Sequence, residues 1–333
     1  MEMLKKEIGS FLELSFSSGN EYYTGAGIAR LNTGRAGIYH SAKVLGCNTV
    51  YLPLYQCDTV RNFLLRKGMK IKYYSIDWEF NPEDLKPKED EAVVLVNYYG
   101  IMSSERMGSL ASRYQKAILD NSQAFFATPI PGAMNVYSAR KFIGTPDGAY
   151  VIGENAECFV EEYEQDYSSD TSLFLLLRIE YGCEGKAYEA RRLNEDRIDQ
   201  SDIRRMSKLT HTILDGTNYE VVKGKRRDNF AIAHGLFTGC NRINPMKYYR
   251  EDCVPMVYPL VIEEEGILES LIQHKIFQGH WWNYLKKETA PASMENWLSS
   301  YLIPITIDQR YGEQEIIAMN TLINEEQHNA GMI

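Results

Sequence analysis

Ala117-Ile118-Leu119-Asp120-Asn121-Ser122-Gln123-Ala124 and, downstream, Ala133-Met134-Asn135-Val136-Tyr137-Ser138-Ala139-Arg140-Lys141 decide the fold of this chain. Each stretch opens on an apolar run and ends on polar groups. Asp120 closes the first, Ser138 and Lys141 close the second, and the Gly/Pro turn Gly144-Thr145-Pro146-Asp147-Gly148 follows. Two strands that both stop at such residues place them on one edge of a sheet. In open α/β sheets that edge, outside the carboxyl ends of the strands, is where ligands bind.

Working outward, the N-terminal half alternates strand and helix patterns. Residues 1–25 read as an arm or short helix, and Gly34 opens a helix running to about Leu45. Thr49–Tyr55 is a β-branched and aromatic strand, followed by a helix from Asp58, its expected N-cap, to Arg66. Lys70–Ile76 alternates as a strand does. Ala92–Tyr98 is nearly continuous in apolar residues, as a strand covered on both faces is. A helix over Ser104–Lys116 and a strand over Asp147–Ile152 complete the pattern, which predicts a mainly parallel sheet covered by helices. Residues 155–215 read as helical and Asn218–Phe237 as a longer helix. Strands over Val254–Ile262 and Tyr301–Ile307, with helices Gly266–His274 and Glu313–Ile323, predict a smaller α+β unit. The predicted division is 1–215 for the large domain and 216–333 for the small one.

The net charge of −9 leaves no basic field to gather nucleic acid or anionic lipid. The basic run Lys223–Arg227 reads as a solvated helix face. Six scattered cysteines without C-x-x-C spacing read as reduced thiols. No apolar run approaches the roughly 20 residues of a membrane span. A cytoplasmic protein is expected, with no metal site.

An acid, a Ser-x-x-Lys turn and a glycine-opened helix are the parts that hold pyridoxal phosphate. The lysine condenses with the cofactor's aldehyde, the acid pairs with its ring nitrogen, and hydroxyls and backbone N–H groups take the phosphate. Lys141 and Asp120 are the catalytic candidates, and Ser138, Gly34 and Arg35 the phosphate candidates. Each has a plainer reading: a surface lysine, a strand-end cap, a capped helix start, a surface ion pair for Arg35.

Asp120-Asn121-Ser122-Gln123-Ala124, Lys141 beyond it, and Ile305-Thr306-Ile307-Asp308-Gln309-Arg310-Tyr311-Gly312 resemble the DegT/DnrJ/EryC1/StrS sugar aminotransferases, over about residue 30 to the C-terminus. That resemblance implies the fold-type-I pyridoxal-phosphate architecture. It also implies transamination from an amino-acid donor to a nucleotide-linked keto-sugar, in a homodimer with shared active sites. It assigns Gln123 to cofactor or substrate contact and calls for an aromatic ring near the end of the second strand, where Tyr55 is the nearest. Trp281-Trp282 falls where the family often has a His-Trp pair near the site, or forms an aromatic plug between domains. Two departures stand out: Val136 occupies the family's usual serine position, and Arg35 replaces a small hydroxyl residue. The alternatives are a dehydratase or lyase using the same cofactor, and a non-catalytic binding relative.

Overall fold

The computed structural model describes residues 9–330. Seven strands form the main sheet: β1 (Ile28–Leu31), β2 (Thr49–Pro53), β3 (Lys70–Tyr74), β4 (Glu91–Val96), β5 (Ala117–Asn121), β6 (Met134–Ser138) and β7 (Ala149–Ile152). Their spatial order is β1-β7-β6-β5-β4-β2-β3. The pairs from β6 through β5, β4 and β2 to β3 are parallel, and β7 runs antiparallel to both of its neighbours. β4, β5 and β6 are buried at every position, which explains why their sequences are continuous rather than alternating.

Helices α1 (Gly34–Val44), α2 (Asp58–Arg66) and α3 (Ser104–Ala111) connect the strands. α2 starts at Asp58 as expected, but its N-cap is Cys57, which makes no side-chain cap bond. After β7 the chain is irregular to residue 172, apart from a short 3-10 turn, and then forms α4 (Leu173–Tyr181), α5 (Lys186–Gln200) and α6 (Lys208–Asp215). The long helix α7 (Tyr219–Phe237) leads to a two-stranded antiparallel sheet, β8 (Val257–Val261) with β9 (Leu302–Thr306). Around that sheet lie α8 (Ile267–Gln273), α9 (Leu285–Glu288), α10 (Met294–Tyr301) and α11 (Glu313–Ala330).

The arm expected over 1–25 is irregular from residue 9 onward, with no helix or strand, and its first eight residues lie outside the described residues. Glu21 anchors it. Its carboxylate accepts from Arg30 Nε (2.8 Å) and Tyr150 OH (2.9 Å), and it pairs with His211. One predicted helix is shorter than expected, α3 stopping at Ala111 rather than Lys116, and β1, α9 and α10 were not anticipated.

One hydrophobic cluster runs from sheet residues Val93, Leu95 and Leu119 to Phe230 on α7 and on to Tyr258, Leu260, Ile303 and Ile316. The C-terminal elements therefore pack into the core under β4 and β5. A second cluster lies on the other face of the sheet, beneath α1 and α2.

Candidate active site

The site forms where β5, β6 and the β1–α1 connection end together. α1 reaches this edge because Gly37 lets it pack tightly on the sheet: a Cβ there would lie 2.7 Å from Val136 Cγ1 and 3.1 Å from Val151 Cγ2. Val136, the departure from the resembled pattern, is thus the surface on which α1 rests.

Thr33 caps α1, its hydroxyl accepting from Ala36 N at 3.2 Å. Gly34 and Arg35 are the first two helical residues, and their amides have no carbonyl within the helix to bond. Ser122 and Ser138 close around them. A Cβ on Gly34 would lie 2.8 Å from Ser122 Oγ and 3.7 Å from Ser138 Cβ. Two hydroxyls and a helix N-terminus facing a position only glycine leaves open make a cradle suited to a phosphate.

Asp120 is buried at the end of β5 with its carboxylate fixed from two sides. Gln56 Nε2 donates to Oδ2 at 2.8 Å and Ser122 N donates to Oδ1 at 3.0 Å. Gln56 Oε1 is itself buried and has no hydrogen-bond partner among the described residues. Gln123 is 3% exposed, and its Oε1 accepts from Tyr99 N at 2.7 Å. This bond holds Tyr99 at φ 60°, a conformation uncommon for a bulky residue, and Met256 N grips the same residue by its carbonyl at 2.8 Å.

Lys141 ends the 3-10 turn after β6 and is exposed; among the described residues its ammonium makes no hydrogen bond or ion pair. Asp147, just beyond, is fully buried. It accepts from Ser207 N (2.9 Å) and Ser207 Oγ (2.7 Å), and from Thr210 Oγ1, fastening the lysine's loop to α6. Burial raises the Asp147 carboxyl above its ordinary range, against those hydrogen bonds.

Two expected residues are placed differently. Tyr55 is 0% exposed, its hydroxyl accepting from Tyr99 OH at 3.1 Å and its ring meeting the edge of Trp282 at 4.5 Å. It has no free face to stack on a ligand, because the aromatic core around Tyr98 and Phe80 encloses it. Arg35 turns to α5, where Nη1 pairs with Asp199 at 2.7 Å. The structure adds Gln56 and Ser122 to the site. Both lie in stretches that the sequence marks, one following Tyr55 at a strand end and one inside the Asp120–Ala124 segment. Trp281 and Trp282 pack on Tyr99 and Tyr55, and Tyr284 OH donates to Gln56 O, so this segment backs the Asp120 side of the site.

No protein-family model matches this chain, and no curated protein matches it. Solved structures do. The sugar aminotransferase CalS13 from Micromonospora echinospora has 14% identity and a TM-score of 0.62, covering 90% of this chain and 87% of its own. DesV from S. venezuelae, solved in complex with a ketimine intermediate, has 12% identity and a TM-score of 0.60 over 90% and 84% of the two chains. NtdA from Bacillus subtilis, solved with bound cofactor PMP, has 14% identity and a TM-score of 0.59 over 89% and 73%. At these identities the likeness establishes a shared fold.

Proposed function

We propose that this chain is a pyridoxal-phosphate-dependent aminotransferase of the DegT/DnrJ/EryC1/StrS type, passing an amino group from an amino-acid donor such as glutamate to a nucleotide-linked keto-sugar. The observation that carries the reading is the convergence of Asp120, Ser122, Ser138 and the Gly34 end of α1 at the edge where the turn bearing Lys141 leaves β6. The fold shared with sugar aminotransferases, some solved with PMP or a ketimine, supports the choice of cofactor and reaction.

The residues present fit the cofactor. Ser122, Ser138 and the first amides of α1 would take its phosphate, and Asp120 would hold a proton on its ring nitrogen. Gln123 keeps Nε2 for a further contact, since its Oε1 is committed to Tyr99. When bound, pyridoxal phosphate supplies the electron sink that makes amino-group transfer possible. Gln56 and the Ser122 amide orient the Asp120 carboxylate in advance, so no reorganisation is needed as charge develops. Lys141 Nζ, which forms no ion pair among the described residues, would accept and return a proton as the substrate reacts.

The chain acts as a homodimer in this reading, with the partner covering a site that one copy leaves open at Lys141. Support comes from α4 and α5, where Leu176, Ile179, Tyr188 and Leu193 are all exposed, Ile179 at 80%. Exposed apolar side chains on two helices packed against each other support an interaction face.

The test is borohydride reduction of the purified protein after incubation with pyridoxal phosphate, followed by peptide mapping. The pyridoxyl group is expected on Lys141. Labelling confined to another lysine, or none, overturns the assignment.

A further inference from the structure

The basic run Lys223–Arg227, expected to be a solvated helix face, hides one member. Arg226 on α7 is 2% exposed and heads the fully buried side chains by volume. Burial pushes its guanidinium down to about 10, with Asp308 opposing the fall, so it is still charged at neutral pH. Among the described residues it forms no ion pair; its neighbour Asp308 pairs with Arg310 at 2.7 Å.

The guanidinium instead spends its donors on carbonyls from three segments. Nη1 donates to Met256 O at 2.9 Å and Pro255 O at 3.3 Å, and Nη2 to Lys141 O at 3.5 Å. Nε donates to Gln309 Oε1 at 3.1 Å, and Gln309 Nε2 donates onward to Phe142 O at 2.8 Å. The guanidinium carbon also lies over the Phe142 ring, 4.5 Å from its centroid. A planar fork with five donors can do this, whereas a lysine ammonium is a point charge on a flexible stem. The 255–256 segment so gripped also holds Tyr99, the residue that orients Gln123. Arg226 therefore bonds both walls of the site from behind, touching neither open face.

We propose that Arg226, working with Gln309, is the positioning residue for Lys141, fixing the direction in which that side chain leaves its turn and tying it to the seating of the C-terminal elements. This rests on the reading of Lys141 as the reactive amine.

The experiment uses the full chain and two variants, Arg226→Gln and Gln309→Ala. Hydrogen exchange in the cofactor-free protein reads the turn directly. Peptides covering residues 139–145 should exchange roughly tenfold faster in Arg226→Gln, the scale of one lost charged hydrogen bond, while β4 stays protected. Pyridoxal phosphate affinity should fall by a similar factor in both variants, with the melting temperature of cofactor-free Gln309→Ala unchanged. A merely structural role would lower the melting temperature without singling out the turn. If Arg226→Gln does not fold, Gln309→Ala decides alone. If the wild type fails to take the cofactor while the turn still loosens, the clasp stands and the functional reading falls. If the wild type takes it on Lys141 and the folded variants match it in exchange and affinity, the positioning role is overturned.

Discussion

At Gly34 one missing carbon decides whether the cradle exists. Gly34→Ala should push the Ser122 hydroxyl out of place, costing about 1–3 kcal/mol of stability as overpacking does, and should weaken pyridoxal phosphate binding. Adding Ser122→Ala should restore the melting temperature but not the affinity; calorimetry and a binding titration read the two effects apart. Restoration of both would show that Ser122 takes no part in binding. The strand-end places of Asp120 and Ser138, and of Lys141 in the turn just beyond, could be read because the apolar runs before them mark β5 and β6. Arg226 could not, because charge density hid its periodicity. It sits four residues after Val222 and four before Phe230, both buried, so the helical stripe that fills the core passes through it. Tyr55 failed for the converse reason. Its place near a strand end was plain, but the rings enclosing it come from segments far along the chain.

On the scale of elements, α1 is held at its middle by His40. Nε2 donates to Ala156 O at 2.7 Å, since a carbonyl can only accept, and Nδ1 then accepts from Tyr163 OH at 2.9 Å. Burial lowers the imidazole below its ordinary value, outweighing the Ala156 bond. A depressed folded value means that this stability is fully present above the unfolded value of about 6.5 and is lost as pH falls from there through the folded value. Denaturant titrations should therefore show stability declining below about pH 6.5, with a slope of up to ~1.4 kcal/mol per pH unit that His40→Asn removes. An unchanged slope in that variant would place the effect elsewhere. Helices with an apolar stripe and strands of five or six residues could be read from pattern alone. β1 could not, because its four residues become a strand only through pairing with β7, more than a hundred residues away.

The whole molecule presents the exposed face of α4 and α5 as its proposed self-association surface. Leu176→Glu with Ile179→Glu should shift the sedimenting species from twice 38.3 kDa to a single chain of that mass, and a wild type that already sediments as a monomer would remove the dimer from the proposal. The parallel sheet with its C-terminal companion was legible in outline, because strand-helix alternation is local. The joining of both by one core was not, since it depends on which faces meet. That shared core bears on how the protein comes apart. Chains with two units commonly melt in two steps, but here the sheet residues Leu95 and Leu119 belong to the same apolar cluster as Leu260 and Ile303. Exposing one set to water strips cover from the other. Scanning calorimetry should record a single endotherm whose calorimetric and van't Hoff enthalpies agree, and the grip on Lys141 should vanish at the same temperature as the sheet.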